Sequence, residues 1–230
     1  MSNTMILIFE LIGTVAFAAS GAITGITKRM DILGVATLGI VTAVGGGVIR
    51  DLILGLTPPA TFSNPVYAIV ALSVSVIIFI PGVHRFLFKN YKIYDFVMLI
   101  MDSLGLGIFT VAGIQTAMHK ADSPNLFLLI FVGMVTGIGG GVMRDVLSKS
   151  TPYIFVKHFY ACASFFGAIT CIILWRFTNE QIAVIGGAAV VIILRLLAAH
   201  FRWSLPKARP DENITKKKKR RLAPRKGASR

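Results

Sequence analysis

Apolar residues run along this chain in stretches of roughly twenty, broken by short polar punctuation. Seven such stretches fall at about 5–27, 33–55, 64–82, 95–118, 126–148, 153–175 and 181–199. A helix needs about 20 apolar residues to cross a bilayer core. Turn-forming runs separate several of them: KRMD at 28–31, TPPATFSNP at 57–65, HKADSPN at 119–125 and STP at 150–152. The pattern predicts an all-α membrane protein with seven transmembrane helices. Mean hydropathy of +0.75 agrees with this. So does a charged fraction of 15%, against about 25% in soluble domains.

The apolar pattern also repeats. At an offset of 94, residues 38–58 match 132–152 at eleven of twenty-one positions, including GGGVIRD at 45–51 and GGGVMRD at 139–145. At an offset of 92, Glu10, Gly13, Phe17 and Gly21 fall on Asp102, Gly105, Phe109 and Gly113. Each unit holds three spans, an odd number, so the second copy enters the membrane from the opposite face. The expectation is an inverted repeat. It comprises a three-span unit over 1–94, an inverted three-span unit over 95–178 and a seventh helix over 179–202. A basic tail over 203–230 follows and is expected to be disordered.

Placed near mid-membrane, the triplets Gly45, Gly46, Gly47 and Gly139, Gly140, Gly141 each weaken helix formation by about 1 kcal/mol per glycine relative to alanine. The expected result is a kinked or locally opened helix. Its freed carbonyls, near Val44, Gly45, Ile138 and Gly139, would then touch water or a monovalent cation. Close helix crossing is the alternative use of small residues in membranes. Thr42 and Thr136 either bond their own helix or line a cavity.

Arg50, Asp51, Arg144 and Asp145 sit a turn or two from the triplets. Each buried charge costs at least about 2.5 kcal/mol on insertion scales. Neighbours on a helix point about 100° apart, which argues against an Arg50–Asp51 pair. Depth suggests Glu10–Arg50 and Asp102–Arg144 instead, leaving Asp51 and Asp145 near a hydrated path. A purely structural ion network is the competing reading.

Net charge of +14 is unevenly spread. Residues 1–199 carry twelve Lys/Arg against eight acids, and 200–230 carry twelve against two. Alternate loops hold most of the remaining Lys and Arg, which places the N-terminus outside and the C-terminus in the cytoplasm. The tail suits anionic lipid headgroups. It lacks the interleaved aromatics of a nucleic-acid segment, so no nucleic-acid partner is expected. Cys162 and Cys171 are too far apart on one helix to bridge. No nucleotide loop, zinc motif or nucleophile elbow occurs, so neither an enzyme nor a cofactor is expected.

With GGGxxRD in the second and fifth spans of two inverted units, the chain resembles the trimeric intracellular cation (TRIC) channel family, in its prokaryotic branch. The resemblance covers about residues 5–200. It implies a homotrimer in a prokaryotic plasma membrane, with one pore per protomer conducting monovalent cations, mainly potassium, with sodium as a second permeant ion. It also implies that the second and fifth helices bend at their glycines to form that pore. Inverted repeats with broken helices suit a secondary transporter of a small zwitterion such as glycine equally well. A non-transporting scaffold with a lipid-binding tail explains the tail but not the paired motifs.

Overall fold

The computed structural model describes residues 3–156 and 159–203. The tail expected at 203–230 lies outside them but for Trp203. Ten helices form among the described residues: α1 (Asn3–Thr27), α2 (Ile32–Ile53), α3 (Ala60–Ser63), α4 (Val66–Phe79), α5 (Pro81–Phe88), α6 (Tyr91–Lys120), α7 (Leu126–Leu147), α8 (Tyr153–Val156), α9 (Tyr160–Phe177) and α10 (Glu180–His200). Six are long and apolar enough to span a membrane, namely α1, α2, α6, α7, α9 and α10. The all-helical membrane class therefore stands, with six spans by length rather than seven.

The third expected span is α4. Its 14 residues reach about 21 Å at about 1.5 Å per residue, short of a core of about 30 Å. The cause is local. Ile80, forced into extended backbone (φ −57, ψ 129) ahead of Pro81, ends α4. The chain then turns into α5. The sixth span also starts later than expected, at Tyr160, because α8 stands apart as a single turn and Phe159 takes a left-handed conformation (φ 59).

Polar side chains start the long helices. Asp31 accepts from Gly34 N at 2.7 Å, and Asn125, its mate at offset 94, accepts from Leu128 N at 2.8 Å. Both satisfy donors that the first helical turn leaves open. The far ends of α2 and α7 also match. Leu56 N donates to Asp51 O and Ser150 N to Asp145 O, both at 2.8 Å. Such a closure requires a left-handed residue. Gly55 supplies it without strain (φ 70), whereas its mate Lys149 does so with a side chain (φ 53).

In the bundle, α1 packs on α2 and α6 on α7, while α2 meets α7 and α1 meets α6. Helix α4 leans on α1 and α2, and α9 and α10 pack on each other and on α6. The interior is built from small residues and a few large ones. Phe17 seats where a side chain on Gly105 would stand, and Phe109 lies against Gly13. The two rings meet at 5.3 Å between centroids.

Candidate functional site

The site is organised around the crossing of α2 and α7. Both helices run unbroken through their glycine triplets. The local opening expected there does not occur, and the carbonyls of Val44, Gly45, Ile138 and Gly139 remain within continuous helix. The physical reason is close approach. A Cβ on Gly46 would lie 2.1 Å from Thr136 O, and one on Gly140 would lie 2.1 Å from Thr42 O. The glycine cost in helix propensity is offset by backbone-on-backbone packing.

The three glycines of a triplet do different work. The first faces the other helix less tightly against backbone: a Cβ on Gly45 would meet Met143 Sδ at 2.4 Å, and one on Gly139 would meet Gly46 Cα at 3.2 Å and Ile49 Cδ1 at 3.4 Å. The middle one makes the crossing. The third leaves room beside the arginines. A Cβ on Gly47 would meet only Arg50 Nη2, at 3.9 Å. Thr42 and Thr136 donate to Leu38 O and Val132 O of their own helices, each at 2.6 Å. Their side chains brace Gly21 and Gly113, where a Cβ would sit 2.6 and 2.5 Å from the hydroxyl oxygens.

The adjacent Arg-Asp residues do pair, contrary to the helical-wheel expectation. Arg50 Nε donates to Asp51 Oδ1 and Arg144 Nε to Asp145 Oδ1, both at 2.8 Å. A long guanidinium arm folds back across the 100° that separates the two Cβ directions. The other carboxylate oxygen of each Asp accepts from the first residue of the next short helix: Asp51 Oδ2 from Ala60 N at 2.8 Å, Asp145 Oδ2 from Tyr153 N at 2.9 Å. Asp51 and Asp145 are thus buried tethers between each helix and the short helix that follows it.

The two halves differ in how they use the remaining acid. Asp102 Oδ1 accepts from Arg144 Nη1 at 2.8 Å, the pair expected from depth. That arginine also donates to Ser20 Oγ and lies over the Tyr153 ring at 4.8 Å. Arg195 of α10 approaches Asp102 Oδ2 at 3.7 Å and stacks on Tyr160 at 4.7 Å. Arg144 and Asp102 side chains are both 0% exposed. In the first half no Glu10–Arg50 ion pair forms. Glu10 Oε2 instead accepts from the Tyr67 hydroxyl. Glu10, Tyr67 and Arg50 share a cavity of about 120 Å³ with Thr14, Thr61 and Gly47. A second cavity, of about 380 Å³, is walled by Tyr94, Asp95, Asp102, Tyr153, Arg195 and Arg202.

Formal charge separates the halves further. Glu10 and Arg50 line the first cavity and Asp51 lies behind Arg50, so the three groups together carry one negative charge. Asp102 and Asp145 balance Arg144 and Arg195 in the second half. Tyr67, Tyr160, Ser20 and Arg195 were not anticipated from sequence. One signal existed for the tyrosines: they match at an offset of 93, as do Ala60 and Tyr153 at the starts of the short helices. Among the described residues no cluster of three or more His, Cys, Asp or Glu could hold a metal ion.

Comparison with known proteins gives a consistent result. A family model described as glycine transporter matches residues 7–81 and 99–176. A UPF0126 membrane protein of Deinococcus radiodurans is 36% identical, covering 88% of this chain and 92% of the relative. The UPF0126 inner membrane protein YadS of Escherichia coli is 32% identical over 89% and 96%. Among solved structures, a TRIC cation channel studied for its conductance superposes with TM-score 0.79 at 38% identity, covering 89% and 97%. The TRIC orthologue of Rhodobacter sphaeroides follows at TM-score 0.78 and 31% identity, covering 86% and 99%. With a glycine-crossed pair of helices, paired Arg-Asp tethers and these relatives in agreement, the chain belongs to the TRIC channel family of membrane proteins.

Proposed function

We propose that the protein is a passive cation channel of a prokaryotic plasma membrane, permeable to potassium. The observation that carries this is its likeness, at 38% identity over 89% of the chain, to a structure described as a TRIC cation channel. The physical support is a chain that buries four charged tethers beside one helix crossing in an otherwise apolar bundle. Each such charge costs at least about 2.5 kcal/mol in a membrane, so a polar route past the crossing is a reason to keep them.

In this reading the halves are inverted three-span units followed by α10 as the seventh span, with α4 counted as the short third. The N-terminus faces outward and the C-terminus the cytoplasm. Three copies assemble, each with its own path. Ions enter the cavity of Glu10, Thr14, Thr61 and Tyr67, where the Glu10 carboxylate and the hydroxyls favour cations. The mutually tilted Phe17 and Phe109 rings and the Gly46–Gly140 contact close the path in the described conformation, so conduction requires α2 and α7 to shift. Hydroxyls and carboxylates, rather than the triplet carbonyls, make the polar lining. Selectivity among monovalent ions is accordingly modest.

The family model's description as glycine transporter favours a second reading, secondary transport of a small zwitterion. Recording purified protein in planar bilayers separates the two. Discrete potassium currents without added solute support the channel. Saturable glycine uptake into liposomes, with no unitary currents, supports the transporter and overturns the channel.

A further inference from the structure

Basic side chains gather on one face of the bundle, away from the helix crossing. Ile26 and Met30 at the end of α1, Leu87 and Phe88 of α5 and Tyr94 at the start of α6 pack on one apolar cluster. Tyr94 in turn walls a cavity with Arg202, just past α10. The ends of α1 and α10, helix α5 and the start of α6 therefore share a face. On it, an open hollow of about 710 Å³ lies between the end of α1 and α5. Arg29, His84, Arg85 and Lys89 line this hollow, and no carboxylate does.

The positive charge there is not neutralised by the chain. Among the described residues, none of Arg29, Arg85 and Lys89 forms an ion pair. The acids nearby in sequence are engaged elsewhere: Asp31 caps α2 through Gly34 N, and Asp95 walls the other cavity on this face. Arg85 and Lys89 are four residues apart at the end of α5, a like-charge spacing that is unfavourable on a helix. Arg29 ends α1 in a left-handed conformation (φ 57), with Met30 N donating to Gly25 O at 3.0 Å. Glycine would fit that place without strain. Loop charge that sets orientation asks only that cations lie on this face. It does not ask that they surround one hollow. The hollow also sits at the depth of a membrane surface. Ile26 and Phe88 give it an apolar wall. The Phe88 and Tyr94 rings lie 5.4 Å apart, and Tyr94 stacks with the exposed Tyr91 at 6.3 Å. Tyrosines gather at the boundary between hydrocarbon and water. His84 Nδ1–H donates to Phe79 O at 3.1 Å, which leaves Nε2 as a further donor when the ring is protonated.

From this convergence we propose that the hollow between α1 and α5 is a binding site for the phosphate headgroup of an anionic phospholipid of the adjoining leaflet. Arg29 meets the phosphate from the end of α1, and Arg85 and Lys89 meet it from α5. An arginine fork matches two phosphate oxygens at once, and lysine adds a point charge. The acyl chain follows Ile26 and Phe88 towards the hydrocarbon. The bound headgroup separates Arg85 from Lys89 and joins α1 to the connection between α4 and α6. The matching places for Arg29 in the second unit, at offsets of 92 and 94, hold Ala121 and Ser123, so the site belongs to one face alone. It lies in the folded chain rather than in the basic tail, and it does not depend on what the protein conducts.

The test is native mass spectrometry of full-length protein in neutral detergent, titrated with phosphatidylglycerol and, as the zwitterionic reference, with phosphatidylcholine. Each basic side chain beside an anionic headgroup contributes about fivefold in affinity. Arg85→Gln combined with Lys89→Gln should therefore weaken phosphatidylglycerol binding about twentyfold, and Arg29→Gly about fivefold. Phosphatidylcholine binding should stay within about twofold in both, and replacing Lys216, Lys217, Lys218 and Lys219 of the tail with Gln should change phosphatidylglycerol binding no more than that. Arg29→Gly also suits the left-handed backbone, so its thermal unfolding midpoint should hold or rise while its lipid affinity falls. That combination separates a lost contact from a damaged fold. Unchanged phosphatidylglycerol affinity in both site variants, an equal loss for phosphatidylcholine, or a loss confined to the tail variant would overturn the site. Complete displacement of the lipid by millimolar inorganic phosphate would overturn it too, because the pocket would then hold a free anion. The readout needs no ion flow, so its failure would leave cation conduction untouched.

Discussion

At the scale of single residues, burial ranks the charged tethers. Arg144 is enclosed with two carboxylates, while Arg50 has one and a cavity beside it. Removing one partner of a buried ion pair costs about 3–5 kcal/mol, far more than at a partly wet site. Asp145→Asn should therefore lower the thermal unfolding midpoint in detergent much more than Asp51→Asn. Equal effects would contradict the distinction. Residue-level reading of the sequence had mixed reach. Depth along the spans was enough to pair Asp102 with Arg144. The same reasoning failed for Glu10 because the Tyr67 hydroxyl, from a helix more than fifty residues away, takes the carboxylate first. It failed for Arg50–Asp51 because a wheel projection fixes Cβ directions but not the reach of a guanidinium.

Elements carry a different prediction. The close approach of α2 and α7 depends on the middle glycine of each triplet and not on the third. Gly46→Ala and Gly140→Ala should each destabilise the fold, at or above the upper end of the roughly 1–3 kcal/mol seen for overpacking. A backbone oxygen 2.1 Å away cannot rotate aside. Gly47→Ala meets nothing nearer than 3.9 Å and should gain up to about 1 kcal/mol of helix propensity. Unfolding of the purified variants measures both. Hydrophobic runs located five of the seven expected spans to within a few residues, and the Gly triplets marked α2 and α7. What the runs could not say was whether glycines open a helix or let two helices touch. Propensity counts the cost of glycine in isolation, whereas the partner that offsets it comes from the other half of the chain. Proline punctuation at Pro81 was the legible sign that α4 would stop short.

On the scale of the whole molecule, the proposed trimer should appear in native mass spectrometry at three times the 24.9 kDa chain mass. A stable monomer that still conducts would remove assembly from the account. The duplication was plain in the sequence, yet the different acid pairing of the halves was not, since matching residue types conceal which partner each one holds. The central claim is that the cavity of Glu10, Thr61 and Tyr67 lies on the ion path. Single-channel recording of Thr61→Cys protein in a potassium gradient tests it most directly, with a bulky thiol reagent added while a channel is open. The account predicts that unitary potassium current falls in step with modification and recovers when a reductant removes the adduct. Undiminished current through fully modified protein would contradict it.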